Sequence, residues 1–151
     1  MQLNSSTRYA IQILIYLAQN KRIVPSMELS EITTVSQRYL LQIAGKLRDS
    51  GLIGVNRGMT GGFHLLMEPS QINVFDIIKY MEGGVAVPER GGFASDENNL
   101  LFDAFYLLNN YLEAFLQAMT INRLSDKGDD EWLMEIALLV ERHINSLKKI
   151  G

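Results

Sequence analysis

The sequence predicts a mainly α-helical, winged helix-turn-helix domain with a small β-hairpin wing and a C-terminal two-helix dimerisation arm. Three observations predict it. Three short amphipathic helices open the chain, the period switches to strand-like runs around a glycine-rich tip, and a heptad seam runs near the C-terminus. A length of 151 residues suits one domain, or a small domain with an appended helical arm. With 47% hydrophobic residues the chain is too apolar to be disordered.

The first helix is expected to start at a cap, Ser5 or Ser6, and to run to about Gln19, with Ile11, Leu14, Ile15 and Ala18 as its stripe. Val24-Pro25 leads to Ser26, a second candidate cap, and to a short helix with Leu29 and Ile32 inward. Ser36 caps the third helix, and Val35 and Leu40 stand where a hydrophobic staple would fix its entry angle. That helix runs to about Ser50, and Gly51 occupies the position of a left-handed C-terminal residue. Leu40, Ile43, Ala44 and Leu47 share one face; the opposite face carries Arg38, Gln42, Gly45 and Asp49, with Lys46 on its flank.

Leu52, Ile53 and Val55, then Phe63, Leu65 and Leu66, flank the run Arg57-Gly58-Met59-Thr60-Gly61-Gly62 and read as a β-hairpin. Asn73 caps a fourth helix with Phe75, Ile77, Ile78 and Met81, ending at Gly83-Gly84. Residues 84–99 hold Pro88, Gly91, Gly92 and Ser95 and are expected to form a flexible loop. Beyond it Leu101, Phe105, Leu108, Leu112, Phe115 and Met119 make the heptad seam, beside a second stripe of Leu100, Ala104, Leu107, Tyr111, Ala114 and Ala118. The last helix is expected to start near Asp129–Glu131 and to turn Leu133, Ile136, Val140, Ile144 and Leu147 inward.

Charge is divided unevenly. Residues 1–66 hold seven Lys/Arg against three acids, a net +4, and residues 67–151 hold seven against fourteen, a net −7. A basic N-terminal half is suited to a polyanion. Catalysis has little to work with. His64 and His143 stand on separate elements without a triad or metal motif, and the acidic run 126–131 lacks the spacing of a calcium loop. The glycines at 58–62 are followed by neither Lys-Ser nor Lys-Thr and open no helix, so they make no phosphate loop. Zero cysteines exclude disulfides, thiol catalysis and any cysteine-held zinc or iron–sulfur site. The longest stretch free of Asp, Glu, Lys and Arg, residues 9–20, falls short of the about 20 residues a membrane span needs. The N-terminus lacks the basic region and cleavage site of a secretory signal, so the cytoplasm is the expected location.

Binding to double-stranded DNA joins these features. Arg and Gln hydrogen-bond base edges, whereas Lys and Arg neutralise phosphates. The expected contacts are Ser36, Gln37, Arg38, Tyr39, Gln42, Lys46 and Arg48 on the third helix, with Arg57, Gly61 and Gly62 on the wing. Leu41 lies beside the same face, within reach of a thymine methyl group. Gly45 costs a helix interior about 1 kcal/mol relative to Ala, which close approach to a duplex or tight packing on a neighbouring helix would each explain.

Five groups of residues carry a resemblance. They are Arg8-Tyr9-Ala10; Tyr39-Leu40-x-Gln42; Lys46-Leu47-Arg48-x-x-Gly51-Leu52; Arg57-Gly58-x-x-Gly61-Gly62-Phe63-x-Leu65; and Asp76-Ile77-Ile78 with Glu82-Gly83. In these the chain resembles the Rrf2 family of winged-helix transcriptional regulators, closely over residues 1–83 and by layout beyond. The resemblance implies that the third helix enters the major groove and the wing arginine the minor groove of each half-site. Many members hold a cluster through three cysteines after the fourth helix; this chain has none, so cluster sensing does not carry over and no cofactor is expected.

The expected organisation is a DNA-binding domain over 1–83, a loop over 84–99 and a helical dimerisation arm over 100–151. The expected function is a dimeric regulator, a repressor on a dyad-symmetric operator, paired through Leu101, Phe105, Leu108, Leu112, Phe115 and Met119. An effector could be a small molecule on the apolar tail or a protein docking on residues 85–99. The competing reading is a protein-interaction module that has lost DNA binding and acts through its acidic tail. Retention of Arg38, Gln42 and Arg57 counts against it.

Overall fold

The computed structural model describes residues 3–84, 100–126 and 131–147. Helix α1 (Ser5–Asn20) buries Ala10, Ile13, Leu14 and Leu17 at helical spacing and forms the axle of the head. Its cap differs from expectation. Asn4 stands at the cap position without a side-chain bond, and the carboxylate of Glu82 does the capping instead. Glu82 Oε1 accepts from Asn4 N at 2.9 Å and from the buried Thr7 hydroxyl at 2.5 Å. A carboxylate at the positive end of a helix is favourably placed.

Helix α2 (Ser26–Thr33) starts after Pro25, so Ser26 is its first residue rather than its cap. Ser26 Oγ accepts instead from Gln37 Nε2 at 3.1 Å, which ties α2 to α3 (Gln37–Asp49). Ser36 caps α3 as expected, its hydroxyl accepting from Tyr39 N at 3.3 Å. Gly51, at φ +77°, ends the helix: its N–H donates to Arg48 O and the N–H of Leu52 to Leu47 O.

Strands β1 (Ile53–Asn56) and β2 (Gly62–Leu65) pair antiparallel with Ile53 opposite Leu65 and Asn56 opposite Gly62. A third element joins them: Val24 bridges Phe63 by two backbone bonds of 2.9 and 2.8 Å. Gly62 is required there, because a Cβ would overlap the Val24 carbonyl. After a single 3₁₀ turn at Pro69–Gln71 comes α4 (Val74–Glu82), capped by Asn73, whose Oδ1 accepts from Asp76 N at 2.9 Å, and ended by Gly83 at φ +82°.

The tail begins with α5 (Leu100–Ala118). A short α6 (Ile121–Ser125), which the sequence reading does not separate, precedes α7 (Glu131–Leu147). Ile121 is fully buried in the head's core and α6 packs on α1. Val74 N donates to Met119 O at 2.9 Å and Ile121 N to Ile72 O at 2.8 Å, fastening the end of α5 to the start of α4.

The heptad seam divides. Leu112, Phe115 and Met119 pack with the buried Leu116 against Val74 and Ile78 of the same chain. Leu108, by contrast, is 58% exposed. Half of the expected dimer stripe is thus partly buried within the chain, where α4 offers its apolar face to the C-terminal half of α5. On α7 Leu133 is exposed rather than inward, whereas Trp132 is buried, its ring centroid 5.8 Å from the Arg123 guanidinium carbon. Residues 85–99, the start near Asp129, and the side chains of Leu101, Val140, Ile144 and Leu147 lie outside the described residues.

Candidate nucleic-acid interface

The α3 core face is fully packed: Leu40, Ile43, Ala44 and Leu47 are each at most 2% exposed. That fixes the rotation of the helix and turns Arg38, Leu41, Gln42 and Asp49 to the outside. Among the described residues Arg38 and Gln42 have no hydrogen-bond or ionic partner, so their donors are free to meet a ligand. Gly45 is also on this face, and a Cβ added to it would meet nothing within 4 Å. Tight packing on a neighbouring helix is therefore not the reason for this glycine.

Two flanking cations are partly engaged. Lys46 Nζ lies 3.5 Å from the Met81 carbonyl at the end of α4, and Arg48 forms an exposed ion pair with Asp49 at 2.8 Å. An exposed pair of this kind contributes little to stability and can reopen toward a phosphate. The remaining expected contacts on α3 are used by the fold. Ser36 caps, Gln37 holds Ser26, and Tyr39 packs edge-on against Tyr9 with centroids 6.2 Å apart.

Arg57 follows β1 directly and is exposed at the entrance to the wing tip, with no acid paired to it among the described residues. Gly58, at φ +111°, and Met59, fully exposed, form the tip. Gly61 N donates to Gly58 O at 3.0 Å, and a Cβ at Gly61 would overlap the Asn56 carbonyl. Gly61 and Gly62 thus shape the hairpin that presents Arg57. The structure brings Arg38, Leu41, Gln42 and Gly45 onto one helix face and sets Arg57 on the following hairpin.

One polar cluster escaped the sequence reading. Glu28, in the first turn of α2, accepts from the Tyr16 hydroxyl at 2.6 Å and from Arg22 Nη1 at 3.2 Å. Hydrogen bonds from Arg22 and then Tyr16 hold the Glu28 carboxyl below the usual carboxylate range, and the bond to Glu28 raises the Tyr16 phenol. The pair Arg22…Glu28 is visible six residues apart, but Tyr16 is twelve residues from Glu28 on another helix and leaves no local signal.

Nothing among the described residues resembles a catalytic centre. His64 sits on β2 opposite Gly54, its Nδ1 buried and without a partner; the His143 side chain lies outside the described residues. A surface groove of about 500 Å³ between the end of α1 and β2 is lined by Leu17, Lys21, His64, Leu65, Met67 and Glu68 and contains no nucleophile–base pair. Among the described residues no three His, Asp or Glu side chains converge as metal ligands, and no helix is long and apolar enough to cross a membrane.

Residues 3–127 match the sequence profile of the family described as Rrf2, iron-dependent transcriptional regulator. The HTH-type transcriptional regulator CymR of Bacillus subtilis is 28% identical over 133 residues, covering 87% of this chain and 94% of that protein. The HTH-type transcriptional regulator NsrR of Shouchella clausii is 30% identical over 139 residues, 86% of this chain and 92% of its own. The solved structure of CymR, the global cysteine regulator of B. subtilis, superposes with a TM-score of 0.75 at 26% identity, covering 85% of this chain and 99% of that one. A cysteine-held iron–sulfur cluster finds no fit here, because the chain has no thiolate to offer.

Proposed function

The chain belongs to the Rrf2 family, a DNA-binding transcriptional regulator rather than an enzyme, and from that premise we propose that it is a cytoplasmic repressor binding a dyad-symmetric operator as a homodimer. The observation that carries this reading is the outer face of α3. Arg38 and Gln42 are exposed there and, among the described residues, unpartnered, on a helix whose inner face is locked into the core, and the exposed Arg57 follows on the wing. Side chains held on a rigid element and left unpaired are those a base edge or phosphate can satisfy. Ser36, Gln37, Tyr39, Gly61 and Gly62 support the surface through the fold, while Lys46 and Arg48 supply flanking charge.

Division into a head over 1–83 and an arm over 100–151 belongs to the same proposal, as does pairing of two copies through the N-terminal half of α5. Leu107 and Leu108 are more than half exposed, and α7 adds the exposed Leu133, Met134 and Leu138. Apolar exposure of this extent on two helices of one tail fits an isologous interface. Two-fold pairing would place two copies of α3 on successive major grooves. The regulator needs no metal for DNA binding in this reading. Selection of bound sequences from random duplex DNA by the purified protein tests it. A palindromic consensus, undiminished by chelator treatment, is expected; recovery of no sequence preference would overturn it.

A further inference from the structure

We propose that Gly45 and Leu41 form an apolar notch on α3 that receives the C5-methyl group of a thymine, making them the specificity-determining pair for one position of each half-site. The inference rests on the DNA-binding reading above and adds to it the base that is read. At about 100° per residue, Gly45 lies near the centre of the outer face, with Leu41 on one side of it and Gln42 on the other. A Cβ at Gly45 would meet nothing within 4 Å, so the protein's own packing does not require the missing side chain. Leu41, one turn earlier, is 49% exposed on a helix otherwise polar on that side. A large apolar side chain beside an open, side-chain-free position makes a shallow recess bounded by Leu41 and helix backbone. In the major groove the apolar feature that distinguishes one base from the others is the thymine methyl group. Gln42, bordering the recess, has the donor and acceptor needed for an adjacent adenine.

The test uses the full-length protein and the operator obtained by selection, with each thymine replaced singly by deoxyuridine, which removes only the methyl group. Wild-type affinity is expected to fall about fourfold for one position in each half-site, the value for one methyl group withdrawn from water. Leu41→Ala is expected to bind the thymine operator more weakly and to treat thymine and uracil at that position alike. Gly45→Ala is expected to unfold at a higher temperature than wild type while losing affinity for the thymine operator, which separates a DNA contact from damage to the fold. Wild-type indifference to every uracil replacement would overturn the proposal and leave DNA binding standing. Retention of the thymine–uracil difference by Leu41→Ala would overturn it as well. Failure of the wild type to select any operator would overturn the DNA reading itself, and the notch with it.

Discussion

Arg57 carries a charge and Gln42 does not, and this makes their losses separable. Arg57→Ala should weaken binding to specific and scrambled duplexes alike and reduce the salt dependence by about one unit of slope. Gln42→Ala should leave that slope intact and relax preference at one position per half-site, by about 1–3 kcal/mol. Titrating both variants at several salt concentrations checks this; a shared phenotype would contradict it. Glu28 makes a second, independent prediction. Its folded-state pKa is depressed, so the stability it contributes is present above the ordinary carboxylate pKa and is lost as pH falls through the lower, folded value. Denaturation midpoints measured from neutral pH into this acid range should fall less steeply for Glu28→Gln than for wild type. The sequence disclosed such residues only when their partners were near. Ser36 is legible as a cap because it bonds three residues ahead, whereas Glu82, the cap of α1, lies 78 residues from Asn4 and gives no local sign.

At the scale of elements, the hairpin is legible because the apolar period changes at Gly51, and its register follows from two short runs around a glycine tip. The Val24 bridge is not legible, since one paired residue has no periodicity. Yet it explains Gly62. Gly62→Ala would force a methyl group onto the Val24 carbonyl, separating the wing from the segment before α2. The expected cost is about 1–3 kcal/mol, read as a lower urea midpoint at unchanged slope, together with weaker operator binding. Ala substitution at Gly58, where nothing stands within 4 Å but φ is +111°, strains the tip alone and should leave the bridge intact. Cross-strand amide protection at Val24 and Phe63 distinguishes the two variants.

The heptad seam marks the whole-molecule scale, where sequence periodicity identifies an apolar face but not the chain that covers it. Leu116 and Leu108 separate the two answers. Leu116 is 4% exposed against α4, and Leu116→Ala should destabilise the fold by about 2–4 kcal/mol without changing the assembly state. Leu108→Glu lies on the exposed half of α5 and should give folded monomers in equilibrium sedimentation, with operator affinity lost. Folded dimers from this variant would place the interface elsewhere. The root of the arm follows a different logic. The two bonds joining Val74 to Met119 and Ile121 to Ile72 run between backbone atoms, and backbone is indifferent to which side chains it carries. Substitutions on the exposed N-terminal half of α5 can therefore accumulate without disturbing this joint, which the packed side chains of Leu112, Phe115 and Leu116 also hold. In the proposed dimer, choice of mate and attachment of the arm would then rest on different residues, free to change at different rates.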